Sequence, residues 1–234
     1  MMKNAQPPEK TDLGNGETLD VINIWRTIQG EGPYTGTPAT FVRLAGCNLM
    51  CPLCDTDYTQ GRWTRQIRHI IGSVVGRQNR LVVITGGEPF RQNITELCRG
   101  LITRDHLVQV ETNGVLDPTE DFEALKQFVN GVSCRLCVVC SPKTSKVSDK
   151  MRHLVDAWKY VVKAGEVEED GMPSSALGMS GRPARPINDQ QIYIQPLDSK
   201  DPEENQAHMK AAVDSCLKHG HRLCLQLHKI AGLD

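Results

Sequence analysis

The chain has 234 residues, is 39% hydrophobic and carries a net charge of −1, which suits one large domain and argues against nucleic acid or an acidic membrane as a partner. Aromatic residues, at 5%, are too few for a base-stacking surface; no apolar run reaches transmembrane length, and the N-terminus has no hydrophobic signal region. Nine cysteines, three of them crowded together, point to a reducing, cytoplasmic setting and a metal rather than a disulfide framework.

In chain order, residues 1–18 are polar and read as a loose tail ahead of a single domain, 19–234. Leu19 to Trp25 reads as the first strand, ending in Thr27-Ile28-Gln29-Gly30-Glu31-Gly32, where glycines flank a carboxylate. Either a functional turn or an ordinary one fits that stretch. Phe41 to Leu44 is a second strand, with Arg43 inside it to pair, to snorkel or to meet a carboxylate ligand.

Next comes Cys47-Asn-Leu-Met-Cys51-Pro-Leu-Cys54-Asp-Thr56, with spacing C-x3-C-x2-C. Three thiolates suffice for three irons of a 4Fe-4S cluster and leave the fourth iron open for chemistry. A structural zinc site wants a fourth ligand, and none follows at finger-like spacing. The plain alternative is three packed thiols without metal.

Ile67, Ile70, Ile71, Val74 and Val75 follow a helical period. Leu81 to Ile84 is a strand ending in Thr85-Gly86-Gly87-Glu88-Pro89. A helix follows with Ile94, Leu97, Cys98, Leu101 and Ile102 on one face, so Cys98 reads as packing. Leu107 to Val110 ends in Glu111-Thr-Asn113-Gly114, and Asp117 with Pro118 predicts the cap and first turn of the next helix. Leu136 to Val139 ends in Cys140-Ser141-Pro142-Lys143; Ala157 to Val162 reads as a further strand.

Residues 164–188, rich in glycine and proline, read as a long loop or insertion. Gln191 to Ile194 then ends in Gln195-Pro196-Leu197-Asp198. Asp201 and Pro202 start a helix whose apolar face is Met209, Ala212, Val213, Cys216 and Leu217, closed by Gly220. Arg222 to His228 alternates as a last strand, with Leu223, Leu225 and Leu227 toward the core and Cys224, Gln226 and His228 toward a polar face.

Alternating strands and helices predict a parallel sheet covered by helices. Polar motifs at strand after strand's end predict one shared rim, as in α/β barrels. The expected fold is an α/β incomplete (β/α) barrel.

The cysteine motif resembles that of the radical S-adenosylmethionine (SAM) enzymes. Gln29-Gly-Glu31-Gly, Phe41-Val-Arg43-Leu-Ala-Gly-Cys47-Asn, Cys54-Asp-Thr56-Asp, Thr85-Gly-Gly-Glu-Pro89, Glu111-Thr-Asn-Gly, Ser141-Pro-Lys143, Gln195-Pro and Gln226-Leu-His228-Lys together resemble the 7-carboxy-7-deazaguanine synthase family, from about residue 19 to the end. That resemblance implies a lyase converting 6-carboxy-5,6,7,8-tetrahydropterin to 7-carboxy-7-deazaguanine and ammonia in 7-deazapurine (queuosine-type) biosynthesis. Hydrogen abstraction by a radical drawn from SAM would start the reaction.

The resemblance also implies a site. Cys47, Cys51 and Cys54 would ligate a 4Fe-4S cluster, and Thr56 would ligate Mg²⁺. Leu53, Asp55, Gly87, Glu88, Ser141, Pro142, Lys143, Gln195, Pro196, Leu197 and Asp198 would contact SAM. Ile28, Gln29, Gly30, Glu31, Arg43, Thr85, His228 and the carboxylate of Asp234 would contact the pterin. A flavodoxin-like or other electron donor and a homodimer are the implied partners. Leu53 departs from the superfamily, where an aromatic usually precedes the third cysteine, and leaves nothing there to stack on adenine.

Two other readings compete. A glycyl-radical-enzyme activase would share the cysteines and the GGE turn, but Arg43 and the Gln-x-His-Lys element argue against it. A non-catalytic iron-sulfur or zinc module would draw on Cys134, Cys137 and Cys140. In a strand, residues three apart point to opposite faces, so those thiols cannot converge.

Overall fold

The structure is a computed structural model in which residues 4–233 are described. β1 (Thr18–Ile28) runs antiparallel to β2 (Pro38–Leu44) because the nine-residue link between them is too short for a parallel crossover. The short β3 (Trp63–Gln66) flanks β1, also antiparallel. From β2 onward every pairing is parallel, through β4 (Leu81–Gly86), β5 (Leu107–Thr112), β6 (Leu136–Cys140), β7 (Ala157–Val162), β8 (Gln191–Pro196) and β9 (Arg222–Leu223). The result is a nine-stranded, mostly parallel sheet in the order β3-β1-β2-β4-β5-β6-β7-β8-β9, whose edge strands do not meet.

One face carries the helices. α1 (Ile67–Val75) buries Ile67, Ile70, Ile71 and Val74; α2 (Thr95–Ile102) buries Leu97, Cys98 and Leu101. They join Phe122, Trp158 and Tyr160 in the main core. Small clusters line the other face, one built from Cys137, Val139, Ala157, Tyr193 and Cys224. Cys137 and Cys140 therefore lie on opposite faces of β6, while Cys134 is exposed before it. Among the described residues, no helix is long and apolar enough to cross a membrane.

Several expectations need correction. α3 (Glu120–Val132) is capped by Thr119, not Asp117. The chain stays extended through Thr119, whose hydroxyl accepts from the Phe122 N–H at 3.2 Å. A short helix, α4 (Asp149–Leu154), capped by Ser148, was not anticipated. α5 (Pro202–His219) starts at Asp201 and ends at left-handed Gly220 as expected, but its buried face is His208, Ala212 and Ser215, with Leu217 82% exposed.

The last strand stops after two residues. Leu223 is exposed and Cys224 is buried, because the chain leaves the sheet and turns into α6 (Leu227–Ile230). Residues 164–188 hold no helix or named strand, and two isolated bridges tie parts of the segment together. Arg185 spans Glu168 and Asp170 at 3.0 and 2.8 Å, and Tyr160 donates to the Ala184 carbonyl at 2.7 Å. The described part of the expected loose tail is likewise tied down: Glu9 N–H donates to the Cys47 carbonyl at 2.7 Å.

Candidate active site

The concave face of the sheet encloses a cavity of about 500 Å³. Cys47, Cys51 and Cys54 line one side, on the loop that leaves β2. None of the three forms a disulfide. Burial pushes the Cys47 thiol up to about 12 and raises Cys51 and Cys54 as well. Lys143, on the same cavity, works the other way on Cys51 and Cys54. Such thiols ionise most readily against a bound cation.

The glycine motif after β4 seats this loop. Gly87 N–H donates to the Leu44 carbonyl at 3.3 Å and Glu88 N–H to the Gly46 carbonyl at 2.9 Å. A Cβ on Gly87 would collide with that same Gly46 carbonyl, so only glycine permits the approach. Glu88 itself is fully buried and does not line the cavity. Its carboxylate accepts from Phe90 N–H (3.0 Å), Thr112 Oγ1 (2.7 Å) and Asn113 N–H (2.7 Å), while burial raises its pKa. It braces the ends of β4 and β5.

Carboxylates organise the floor. Glu111, at the end of β5, accepts from Gln29 Nε2 (3.0 Å), Gln109 Nε2 (2.9 Å) and Thr85 Oγ1 (3.1 Å). Glu31 accepts from Lys159 on β7 and from Gln226 Nε2 at 2.9 Å. Burial works to raise the Glu31 pKa, but Lys159, Gln226 and His228 bring it below the ordinary carboxylate value. His228 covers Gly30 so closely that a Cβ there would strike its ring, and its pKa is lowered mainly by burial.

Arg43 reaches in from β2 and lies over the Trp25 ring, 4.8 Å from its centre. Its Nε is buried with no hydrogen-bond partner among the described residues. Across the cavity, Lys143 Nζ donates to Ser141 Oγ at 2.7 Å. Lys229 bridges Asp198 (3.1 Å) and Asp55 (3.4 Å) at the rim. Thr56 lies beside them, its hydroxyl 3.4 Å from the Asp55 carboxylate.

Of the residues expected at the site, the cavity brings together Gln29, Glu31, Arg43, the three cysteines, Leu53, Asp55, Thr56, Thr85, Gly87, Ser141, Lys143, Gln195, Leu197, Asp198 and His228. Ile28, Gly30, Glu88, Pro142 and Pro196 are not on its lining, and Asp234 lies outside the described residues. Trp25, Glu111, Lys159, Gln226 and Lys229 line it without having been assigned a role from the sequence. For Lys159 a signal was there: it is a charged residue between Trp158 and Tyr160 in an apolar strand, as Arg43 is in β2.

No family model matches the chain. It is 37% identical over 241 residues to the 7-carboxy-7-deazaguanine synthase of Rhodospirillum rubrum, covering 98% of each chain. It is 34% identical over 240 residues to the synthase of Rickettsia prowazekii, covering 97% of this chain and 94% of the relative. Among solved structures it matches QueE from Escherichia coli with a TM-score of 0.64 at 21% identity, over 89% of this chain and 93% of that one, a likeness of fold. With relatives this similar along almost its whole length, the chain belongs to the 7-carboxy-7-deazaguanine synthase family.

Proposed function

We infer that the cavity converts 6-carboxy-5,6,7,8-tetrahydropterin to 7-carboxy-7-deazaguanine and ammonia. The observation that carries this reading is the meeting of three unpaired thiols with Arg43 and the Glu111 network in one cavity. Three thiolates can each hold one iron of a 4Fe-4S cluster, and Cys47, Cys51 and Cys54, all free thiols on one cavity, are assigned that role. A 4Fe-4S cluster with SAM supplies, when bound, a carbon-centred radical that abstracts hydrogen.

The chain's own residues do the rest. Arg43, with an unused donor, binds the pterin carboxylate. Gln29, Thr85 and Glu111 form a prearranged set of donors and acceptors for the pterin ring's amide and guanidine edge. Lys159 and Gln226 keep Glu31 ionised beside it, and His228 closes the pocket over Gly30. Gly87, Ser141, Lys143, Gln195 and Asp198 line the part of the cavity assigned to SAM, and the Thr56 hydroxyl is a suitable hard donor for Mg²⁺.

The sheet is assigned as the incomplete barrel of the radical SAM type, in a single domain that also takes in the strand residue Thr18 and the tied-down segment from Asn4. We assign the protein to the cytoplasm, as a homodimer reduced by a flavodoxin-like or other electron donor; the odd number of cysteines, three of them packed together, supports a reducing setting. Anaerobic reconstitution followed by incubation with SAM, Mg²⁺ and the pterin tests the reading. About four irons per chain and release of deazaguanine product are expected. Stoichiometric zinc in protein that turns over, or no product from iron-loaded protein, would overturn it.

A further inference from the structure

Between Cys47 and Arg62 the chain forms neither helix nor strand, so the spacing of its thiols is fixed from within by turn contacts, such as the Cys54 N–H donating to the Cys51 carbonyl at 3.1 Å. A second stretch of chain, residues 4–12, does so from outside. Asn4 N–H donates to the Pro52 carbonyl at 2.9 Å and Asn4 Nδ2 to the Cys51 carbonyl at 3.2 Å. Gln6 spans the next turn with both ends of its amide: Nε2 donates to the Thr56 carbonyl at 2.9 Å, and Oε1 accepts from the Tyr58 N–H at 2.8 Å. Glu9 N–H then donates to the Cys47 carbonyl at 2.7 Å. The backbone is thus gripped at the first and second cysteines and again just beyond the third.

The strap is itself anchored. Tyr58 lies buried beneath it, its hydroxyl donating to the Gln6 carbonyl at 3.2 Å. Arg91, in the turn just past the glycine motif, donates to the carbonyls of Lys10 (3.0 Å) and Ala45 (3.2 Å) and sits 3.5 Å from the Glu9 carboxylate. Asp12 N–H donates back to the Arg91 carbonyl at 2.8 Å. Glu9 also pairs with Arg62, where the loop enters β3. One segment therefore ties together both ends of the cysteine loop and the glycine motif seated against it.

We propose that residues 4–12 are a strap that sets the geometry of the iron-ligating loop, with Gln6 as its central positioning residue. This rests on the assignment of the cluster to Cys47, Cys51 and Cys54. Gln6 touches no reacting atom; it acts through the carbonyl of Thr56 and the N–H of Tyr58, which hold the loop just past Cys54. Groups that orient metal ligands in this way commonly change metal affinity by about 10–100-fold when lost.

Two variants test it: Gln6→Leu, which keeps the side chain's bulk and removes its three amide hydrogen bonds, to Thr56, Tyr58 and Asn4, and a deletion of Met1 to Asp12. Each is reconstituted anaerobically beside the full chain. The readouts are the rate of iron loss to excess ferrous chelator, the electron paramagnetic resonance spectrum of the reduced cluster, and the urea midpoint of the metal-free protein. We expect Gln6→Leu to lose iron about tenfold faster, with an altered spectrum and an unchanged metal-free midpoint, and the deletion to do so more severely. Iron loss within about twofold of the full chain, or faster loss with an unaltered spectrum, would overturn the strap's positioning role. Should the deletion fail to fold, Gln6→Leu alone decides. A full chain that takes up no iron-sulfur cluster would overturn the functional assignment itself, and the strap's role with it.

Discussion

Lys159 on β7 donates to Glu31, just past β1, although five strand-to-strand steps separate β1 from β7 in the sheet. At about 4.8 Å per step, a flat sheet would hold them roughly 24 Å apart. The ion pair therefore requires the sheet to curl, and the curl is what brings residues from its two halves into one cavity. The same closure is seen where Gly32 N–H reaches Cys224 Sγ at 3.2 Å.

Both partners are mostly buried, at 12% and 13% side-chain exposure, so removing either leaves an uncompensated charge. Glu31→Gln or Lys159→Met should each destabilise the metal-free protein by about 3–5 kcal/mol, and the double variant should recover part of that loss. Urea denaturation of the three proteins measures it. Additive losses in the double variant would mean the two charges do not act on each other.

The pair also sets a pH window. Glu31 titrates below its ordinary value, so its contribution is complete above the unfolded carboxylate pKa of about 4.3 and fades as pH falls through the lower folded one. Lys159 is raised, by Glu31 against the opposing effect of burial, so its contribution is complete below about 10.4 and fades as pH rises through its higher folded value. Stability from the pair should be flat between those limits. In Glu31→Gln the acid limb of the stability curve should be shallower, as read from urea midpoints measured from neutral to acid pH.

Cys134, Cys137 and Cys140 share a tempting spacing but not a face. Cys137 packs with Val139 and Tyr193, Cys140 sits in the main core, and Cys134 is exposed at a left-handed φ of 49°. Replacing Cys134 by Ser and Cys137 by Val should leave iron content unchanged. Loss of about half the iron or more would require a second cluster.

The site was legible where function sits at strand ends. The motifs after β2, β4, β5, β6 and β8 stand out because polar and glycine residues interrupt apolar runs, and the fold collects them on one rim. Lys159 went unassigned because a single charge within a strand carries no motif. The end of the chain misled for a different reason: Leu223, Leu225 and Leu227 alternate like a strand, yet burial of Cys224 and the turn into α6 took precedence. The strap could not be read at all, since it binds through backbone groups and amides that leave no hydrophobic period. Thr119 won the cap over Asp117 because its hydroxyl also meets Thr95 Oγ1 at 3.0 Å, a contact between helices that local sequence does not encode.

Arg43 provides the sharpest test of the substrate pocket. It sits inside an apolar strand, where burial works against its charge and the carboxylates of Asp55 and Glu111 support it from a distance. Its guanidinium lies over Trp25, which fixes the plane of the fork, while its Nε has no partner among the described residues. A buried donor left unmade costs free energy, so the arrangement makes sense when a ligand's carboxylate completes it. Losing one charged, desolvated partner of this kind costs about 2–5 kcal/mol of binding. Arg43→Met, close in volume and uncharged, should therefore keep its cluster and its fold while binding of the carboxylated pterin weakens by at least about tenfold. Arg43→Lys should rescue little, because an ammonium presents no planar fork and stacks less well on Trp25. Equilibrium binding of the pterin to the iron-loaded variants, with iron content and urea midpoints measured alongside, separates the pocket from the scaffold. Unchanged pterin affinity in Arg43→Met would show that the substrate carboxylate lies elsewhere in the cavity.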